Sequence, residues 1–370
     1  MVDEWLPEVD KDAGATAILS HIRALVLLGY DVYFAASEHF NTPRQVSRRI
    51  EIEGATLCKA PYYSSVEEVL IRQRNSFDII YLHRISSAAK YLSLARACSP
   101  QAKVVYSVAD LHHVRLARQA KIEARSDRLV ESEGVRIAEC YAASAADVVL
   151  THSPIEAKWL KKTIEGVNVH VVPWTVPVRR TITPWVERSG IAFIGNFAFA
   201  PNVDAAHYLV REIMPVVWAT DPSIECMLVG SRMQHDILGL HIDKVQVLGQ
   251  IPDLSVIYER VRLTVAPLRF GAGIKGKVLE SLAAGVPCVM SQIAAEGLDQ
   301  YPGIVVDQPD PEAFARGILN AYSGGAEIEA SVSEGVRFVT EYYQEEAVLA
   351  GLRAAIQCGG SRAQSELAGH

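Results

Sequence analysis

Short β-branched and aromatic runs alternate along most of the chain with longer stretches in which apolar residues recur every three or four positions. Ile18, Ile22, Leu25 and Leu28 fall on one helical face, and Gly29 closes that helix. Strands are predicted over 31–36, 55–59, 78–82, 103–108, 147–150 and 169–172, with helical segments between them, one running to Gly54. Each is a short run of the buried type, and the alternation is the βαβ rhythm of a parallel, doubly wound sheet. The rhythm breaks at Pro173-Trp174-Thr175-Val176-Pro177 and resumes after Pro184, so this proline-rich stretch reads as a linker. Further strands follow over 191–195, 225–230, 245–249, 262–267, 287–290 and 303–307, with a helical region over about 327–357 and a frayed tail beyond it. The expectation is an α/β chain of two Rossmann-like domains, 1–174 and 175–340, with a C-terminal helix and tail over 341–370. One feature is unusual. A strand should precede the loop Asp12-Ala13-Gly14, but only Met1–Leu6 is available and it carries Asp3 and Glu4. That strand is therefore short, or the chain is cut from a longer polypeptide.

Composition narrows the class. Of the 370 residues 49% are hydrophobic and 21% charged, which excludes disorder and a pure coiled coil. No window approaches a membrane span and the N-terminus has no leader pattern, so the expected location is cytoplasmic, with peripheral contact at the inner face of the membrane left open. The six cysteines are scattered without a CxxC pair and read as reduced, buried thiols. Charges balance over residues 1–175, so the net charge of −7 belongs to the second half and no nucleic-acid footprint exists. Local arginine clusters do occur (Arg44, Arg48 and Arg49; then Arg115, Arg118, Lys121, Arg125 and Arg128). Solvated helix faces explain most such runs, and phosphate or membrane contact is the alternative.

In open parallel sheets ligands bind beyond the carboxyl ends of the strands. In the first domain those positions hold Gly14, His83-Arg84, Asp110 with His112, His113 and Arg115, and His152-Ser153. In the second they hold Gly195-Asn196, Arg232, Ile251, and the run Arg269-Phe-Gly-Ala-Gly-Ile-Lys-Gly-Lys277. This last loop carries the strongest signal. Gly271 and Gly273 let backbone approach an anion, the segment after Lys277 reads as a helix whose N-terminus points the same way, and Lys275 and Lys277 add positive charge. Glu280, one turn into that helix, could accept hydrogen bonds from the ribose of a nucleotide whose phosphates rest on the loop. The run matches neither a Walker A loop nor GxGxxG. No metal-ligand spacing is present apart from Asp10-Lys11-Asp12, which suits a helix cap better than a cation, so no metal is expected.

The run Val265–Val289 resembles the nucleotide-sugar site of retaining glycosyltransferases of the GT-B fold, family 4 in particular, within its subgroup with a G-x-G-x-K-x-K loop. Phe193-Ile-Gly-Asn-Phe, Pro201-Asn-Val-Asp-Ala, Val247-Leu-Gly-Gln-Ile-Pro-Asp-Leu, Asp110-Leu-His-His-Val-Arg and Pro7-Glu-Val-Asp-Lys-Asp-Ala-Gly resemble other segments of the family. The resemblance implies two sheets facing across a cleft. It also implies a UDP-, GDP- or dTDP-type sugar donor held mainly by the second domain, at Gly195, Asn196, Arg232, Ile251, Gly271, Gly273, Ile274, Lys275, Lys277 and Glu280. Glu280 matches the second glutamate of the family's E-x7-E motif, the residue that holds ribose. The first would fall at Ala272. The family's paired Arg and Lys fall at Asn196 and Pro201, so Lys275 and Lys277 would carry the charge that faces the diphosphate. The histidine that usually precedes the aspartate is Ala109 here, and His112 or His113 would replace it beside Asp110. Gly14, His83, His113 and Arg115 would face the acceptor or its phosphate. The activity implied is transfer of a sugar to an acceptor hydroxyl with retention, without metal, in bacterial glycan or glycoconjugate synthesis on a glycan or lipid-linked acceptor. Two other readings stand beside it: a nucleotide-sugar 2-epimerase, and a noncatalytic nucleotide-sugar-binding domain of a larger synthase or complex.

Overall fold

The computed structural model describes residues 1–7, 13–38, 50–298, 301, 303–306 and 310–357. The first sheet has seven parallel strands in the order β3-β2-β1-β4-β5-β6-β7. They are β1 (Val2–Asp3), β2 (Tyr33–Ala36), β3 (Thr56–Leu57), β4 (Ile79–His83), β5 (Lys103–Ser107), β6 (Val148–Thr151) and β7 (Val169–Val171). The second has six parallel strands, β10-β9-β8-β11-β12-β13, namely β8 (Ile191–Ile194), β9 (Cys226–Val229), β10 (Val245–Gly249), β11 (Leu263–Ala266), β12 (Cys288–Ser291) and β13 (Ile304–Val306). The short first strand is real: β1 lies in the middle of its sheet, Val2 opposite both Ala35 and Leu82.

Both sheets are buried on two faces, as continuous apolar runs require. Ile80 and Leu82 of β4 point into one core with Val104, Tyr106 and Val149, while Tyr81 points into the other with Val105, Val148 and Leu150. In the second sheet Ile191, Phe193, Leu228, Leu263 and Val265 share one core, and Ala192, Ile194, Met227 and Val229 share the opposite one. Helices start on sequence caps where these exist. Ser153 accepts from the amide of Glu156, and Asp310 from that of Ala313 at 2.7 Å.

Two stretches carry detail that the pattern alone did not show. The proline-rich connection between the two sheets is buried: Trp174 and Val176 lie in the second core, and Val176 donates its amide to the Tyr343 carbonyl at 2.8 Å. The terminal helical region is two helices, Ala326–Tyr342 and Glu345–Gln357. The second of these returns to the first domain and lays Val348, Leu352, Ala355 and Ile356 against Ile18, Ile22 and Leu25 in one core. Residues 358–370, the segment Asp10–Asp12 with its DxD pattern, and Arg44, Arg48 and Arg49 lie outside the described residues.

Candidate functional site

Strand order fixes where a ligand can enter. In the first sheet the winding reverses between β1 and β4, and in the second between β8 and β11. The residues just beyond those four strands face one another across a cleft of about 420 Å³. Glu4, Trp5, Gly14, Arg84, Asp110, His112, Arg115 and His152 line one wall, and Gly195, Asn196 and the loop from Gly271 to Val278 line the other. Gly195 sits against Gly230, whose φ of +146° brings it so close that a Cβ there would lie 1.7 Å from the Gly195 carbonyl oxygen. Only glycine can follow β9 at that point.

The loop leads into the helix Gly276–Ala283, whose first intrahelical donors, Val278 and Leu279, bond back to the Lys275 carbonyl. The amides of Gly273 through Lys277 make no hydrogen bond among the described residues. Five consecutive donors at a helix N-terminus in a cleft wall form a site for an anion. The two lysines are held around it. Lys275 turns its Nζ back onto the carbonyl oxygens of Ala272, at 3.2 Å, and Gly273, and burial pulls its pKa down to about 8, against the opposing pull of Glu296 and Glu156. Lys277 Nζ meets both carboxylate oxygens of Glu280, at 3.0 and 2.9 Å. Arg269, at the start of the loop, pairs with Asp204 and stacks over Tyr208, so it braces the loop's stem.

On the opposite wall Asp110 is gripped by His112 Nε2 at 3.0 Å and Arg115 Nε at 3.2 Å. Its burial would raise its pKa, but His112, Arg115 and Arg84 together hold the carboxylate well below its usual range. For His112 burial opposes the charge, yet Asp110 prevails and the imidazole pKa is raised. The helix His112–Ile122 begins over two buried glutamates: Leu111 donates its amide to Glu156 at 2.9 Å and His112 donates its own to Glu139 at 2.7 Å. That helix N-terminus is therefore already occupied by the protein's own carboxylates. Burial raises Glu156 to about 7.

Several expected residues take other positions. His113 is buried away from the cleft, bonded through Nδ1 to Glu139 and packed on Trp159. Thus His112, not His113, accompanies Asp110. His83 is buried on Ser107 at 3.0 Å and does not line the cleft. Arg232 is exposed at a left-handed φ of +57°, and Ile251 packs beside the core of Ala192, Ile194 and Met227; neither lines the cleft. Glu280 stands behind the loop, reaching it through Lys277. Most of the second arginine cluster is consumed by ion pairs: Arg125 with Asp127, Arg128 with Glu123, Arg115 with Asp110. Arg118 does something the pattern did not disclose. It crosses the cleft mouth to donate to the Gly271 carbonyl at 2.7 Å and to both oxygens of Glu296, at 2.6 and 2.7 Å. His152, expected at a strand end, does line the cleft; Trp5 and Glu4 were missed, although both follow β1, because no motif marks them.

Two facing parallel α/β domains with an anion loop in the cleft between them define the GT-B fold, and solved structures agree. Sucrose-phosphate synthase from Thermosynechococcus elongatus superposes with a TM-score of 0.73 at 16% identity, covering 96% of this chain and 97% of its own. HepE from Anabaena, in complex with UDP and glucose, gives 0.68 at 12% identity over 96% and 98% of the two chains. A glycosyltransferase from Rickettsia africae gives 0.65 at 14% identity over 95% of each. Residues 188–323, which contain the loop and Glu280, match the family model of glycosyl transferases group 1. No curated protein matches the chain. Among the described residues no three potential ligands converge on a metal position, and no helix is long and apolar enough to cross a membrane.

Proposed function

We propose that the chain transfers a sugar from a nucleoside-diphosphate donor to an acceptor hydroxyl. The observation that carries this is the row of amides from Gly273 to Lys277 in the cleft wall, inside the segment that matches glycosyl transferases group 1. In the reaction the bond between the sugar's anomeric carbon and the diphosphate oxygen breaks, and its electron pair leaves with the diphosphate. The acceptor oxygen bonds to that carbon from the face the diphosphate leaves, with retention, and its proton passes to the departing phosphate oxygen. The main electrostatic task is stabilising the departing charge, which fixed amides perform without reorganising. Lys275 stiffens the loop by holding its carbonyls. Lys277 and Glu280 form a neutral pair that a nucleotide would split, the carboxylate taking ribose and the ammonium the phosphates. His112, with its pKa raised by Asp110, faces the donor from the other wall. The amides and the two lysines make the step independent of a metal, and the physiological setting is bacterial glycan or glycoconjugate synthesis.

Calorimetry with UDP, GDP and dTDP in the presence of a chelator tests the donor site. Saturable binding of at least one is expected, and none binding at millimolar concentration would refute it. A strict requirement for Mn²⁺ or Mg²⁺ in subsequent donor turnover would overturn the metal-free step, and a product of inverted anomeric configuration by NMR coupling would overturn retention. Ala272, at the first glutamate position of the resemblance, favours one other reading, a binding domain without turnover. Tight donor binding with no transfer to any acceptor would establish that instead.

A further inference from the structure

We infer that Arg118 is a phosphate-binding residue held in reserve by Glu296, and that the diphosphate of an arriving nucleotide takes the guanidinium from that carboxylate. The inference rests on the transferase reading above. It adds a first-domain residue to the donor site, together with a carboxylate that competes for it. Arg118 belongs to the helix His112–Ile122, yet its Nη1 donates across the cleft mouth to the Gly271 carbonyl at 2.7 Å, where the loop with the amide row begins. Glu296 holds both prongs of the same guanidinium, at 2.6 and 2.7 Å. That carboxylate belongs to a segment packed against the row itself. Gly297, the next residue, lies so close to Ile274 that a Cβ there would be 2.3 Å from Ile274 Cδ1. Lys275 senses both groups: burial has the largest effect on its pKa, and of the charges around it Glu296 raises the value and Arg118 lowers it. A carboxylate and a guanidinium thus sit together at one edge of an anion site.

The two groups act on a diphosphate in opposite ways. An anion on the amides of Gly273–Lys277 is repelled by Glu296 and attracted by Arg118. The nearby cations are already engaged: Lys275 with the carbonyls of Ala272 and Gly273, Lys277 with Glu280, Arg115 with Asp110. An incoming phosphate must therefore draw one of them from its partner. Arg118 is suited to the exchange because its planar fork takes phosphate as well as carboxylate, so it keeps its hydrogen bonds when it changes partner. Its pair with Glu296 is also partly exposed, and water can solvate the released carboxylate. A fully buried pair would leave an uncompensated charge behind. The coupling is reciprocal: a ligand that loosens the pair binds more tightly once the pair is already loose, provided the guanidinium remains.

Calorimetry with UDP, GDP and dTDP at one salt concentration, on wild type, Arg118→Ala, Arg118→Lys and Glu296→Gln, tests this. For whichever nucleotide wild type binds most tightly, affinity should fall about tenfold or more in Arg118→Ala and rise severalfold in Glu296→Gln. Arg118→Lys keeps the charge without the fork and should stay within about threefold of wild type. The signs decide. A brace between the domains is broken by Arg118→Ala and by Glu296→Gln alike, so affinity would move the same way in both, and lysine would not restore it. Glu296→Gln preserves the shape of the site and is sufficient by itself: affinity unchanged or reduced in that variant overturns the inference and leaves the donor reading standing. Wild-type affinity in Arg118→Ala does the same. Absence of binding of all three nucleotides by wild type overturns the donor reading itself.

Discussion

Glu156 shows how a residue with no place in any motif shapes the site. It is buried beneath the helix that carries His112, accepting from the Leu111 amide at 2.9 Å and the Thr151 hydroxyl at 2.8 Å, with its pKa raised to about 7. A carboxyl raised in the folded state favours folding fully below its unfolded pKa and loses that contribution as pH climbs through the folded value. The contribution therefore falls between about pH 4.5 and 7, by up to about 3 kcal/mol. Glu156→Gln keeps an acceptor for Leu111 and cannot ionise, so its melting temperature, relative to wild type, should rise steadily across that window. Parallel profiles for the two proteins would show that Glu156 is not held neutral. At the other wall, the pairing of Lys277 with Glu280 separates two effects. Lys277→Ala should cost on the order of 10²–10³ in kcat, the loss typical of one preorganised anion-stabilising donor. Glu280→Gln should weaken affinity for the free nucleoside diphosphate, because ribose and not the reacting centre is its partner. Steady-state kinetics of both variants, with calorimetry, decides; changes of only a few-fold in each would make the pair a surface ion bridge.

Among the elements, the 271–277 loop depends on glycine in a way that joins conformation to domain contact. Gly273 has φ +66°, and a Cβ there would lie 2.9 Å from Asp110 Cβ and 3.3 Å from the Ala109 carbonyl, both on the opposite domain. Gly273→Ala therefore meets left-handed strain of about 1 kcal/mol and pushes the two walls apart. Nucleotide affinity should drop at least tenfold while far-UV circular dichroism stays unchanged, and wild-type affinity would show that the walls can yield. The helix Glu345–Gln357 raises a different point. Its apolar residues face the first domain, so a chain ending at Tyr342 uncovers Ile18, Ile22 and Leu25 and loses four buried apolar side chains. At roughly 1.5–3 kcal/mol for each large one, the first domain should unfold well before the second in a thermal scan. A single transition at the wild-type temperature would show that the helix adds nothing to that core.

For the whole molecule the decisive contact is Arg118, which ties the first domain to the Gly271 carbonyl and Glu296 of the second. A bidentate guanidinium–carboxylate pair of this kind, about a quarter exposed on each side, holds geometry better than an isolated surface bridge. Arg118→Ala should let the domains separate, seen as an increased radius of gyration by small-angle scattering, and Glu296→Ala should reproduce the effect. Added salt should widen wild type toward the variants. Identical scattering for all three would assign closure to the Gly273–Asp110 contact instead.

Much of the architecture was legible along the chain. Buried parallel strands are apolar on both faces, so twelve of them appear as short runs, and a glycine loop opening a helix announces an anion site by itself. β1 was harder, because two residues are too few to show a period, although the sheet places them between β2 and β4, away from either edge. Local patterning also located the cleft edges, since every residue that follows a parallel strand lies at one end of its sheet. It did not distinguish His112 from His113, because adjacent residues at a helix start point to different sides and only the positions of Glu139 and Trp159 show which side is buried. Nor could spacing reveal that Arg118 spans the cleft, that Glu345–Gln357 completes the first core, or that Trp5 lines the cleft wall. Hydrophobic periodicity records burial against a residue's own element and sheet. Contacts between residues more than a hundred positions apart depend on how two finished domains meet, and that information is spread over both surfaces instead of residing in any one segment.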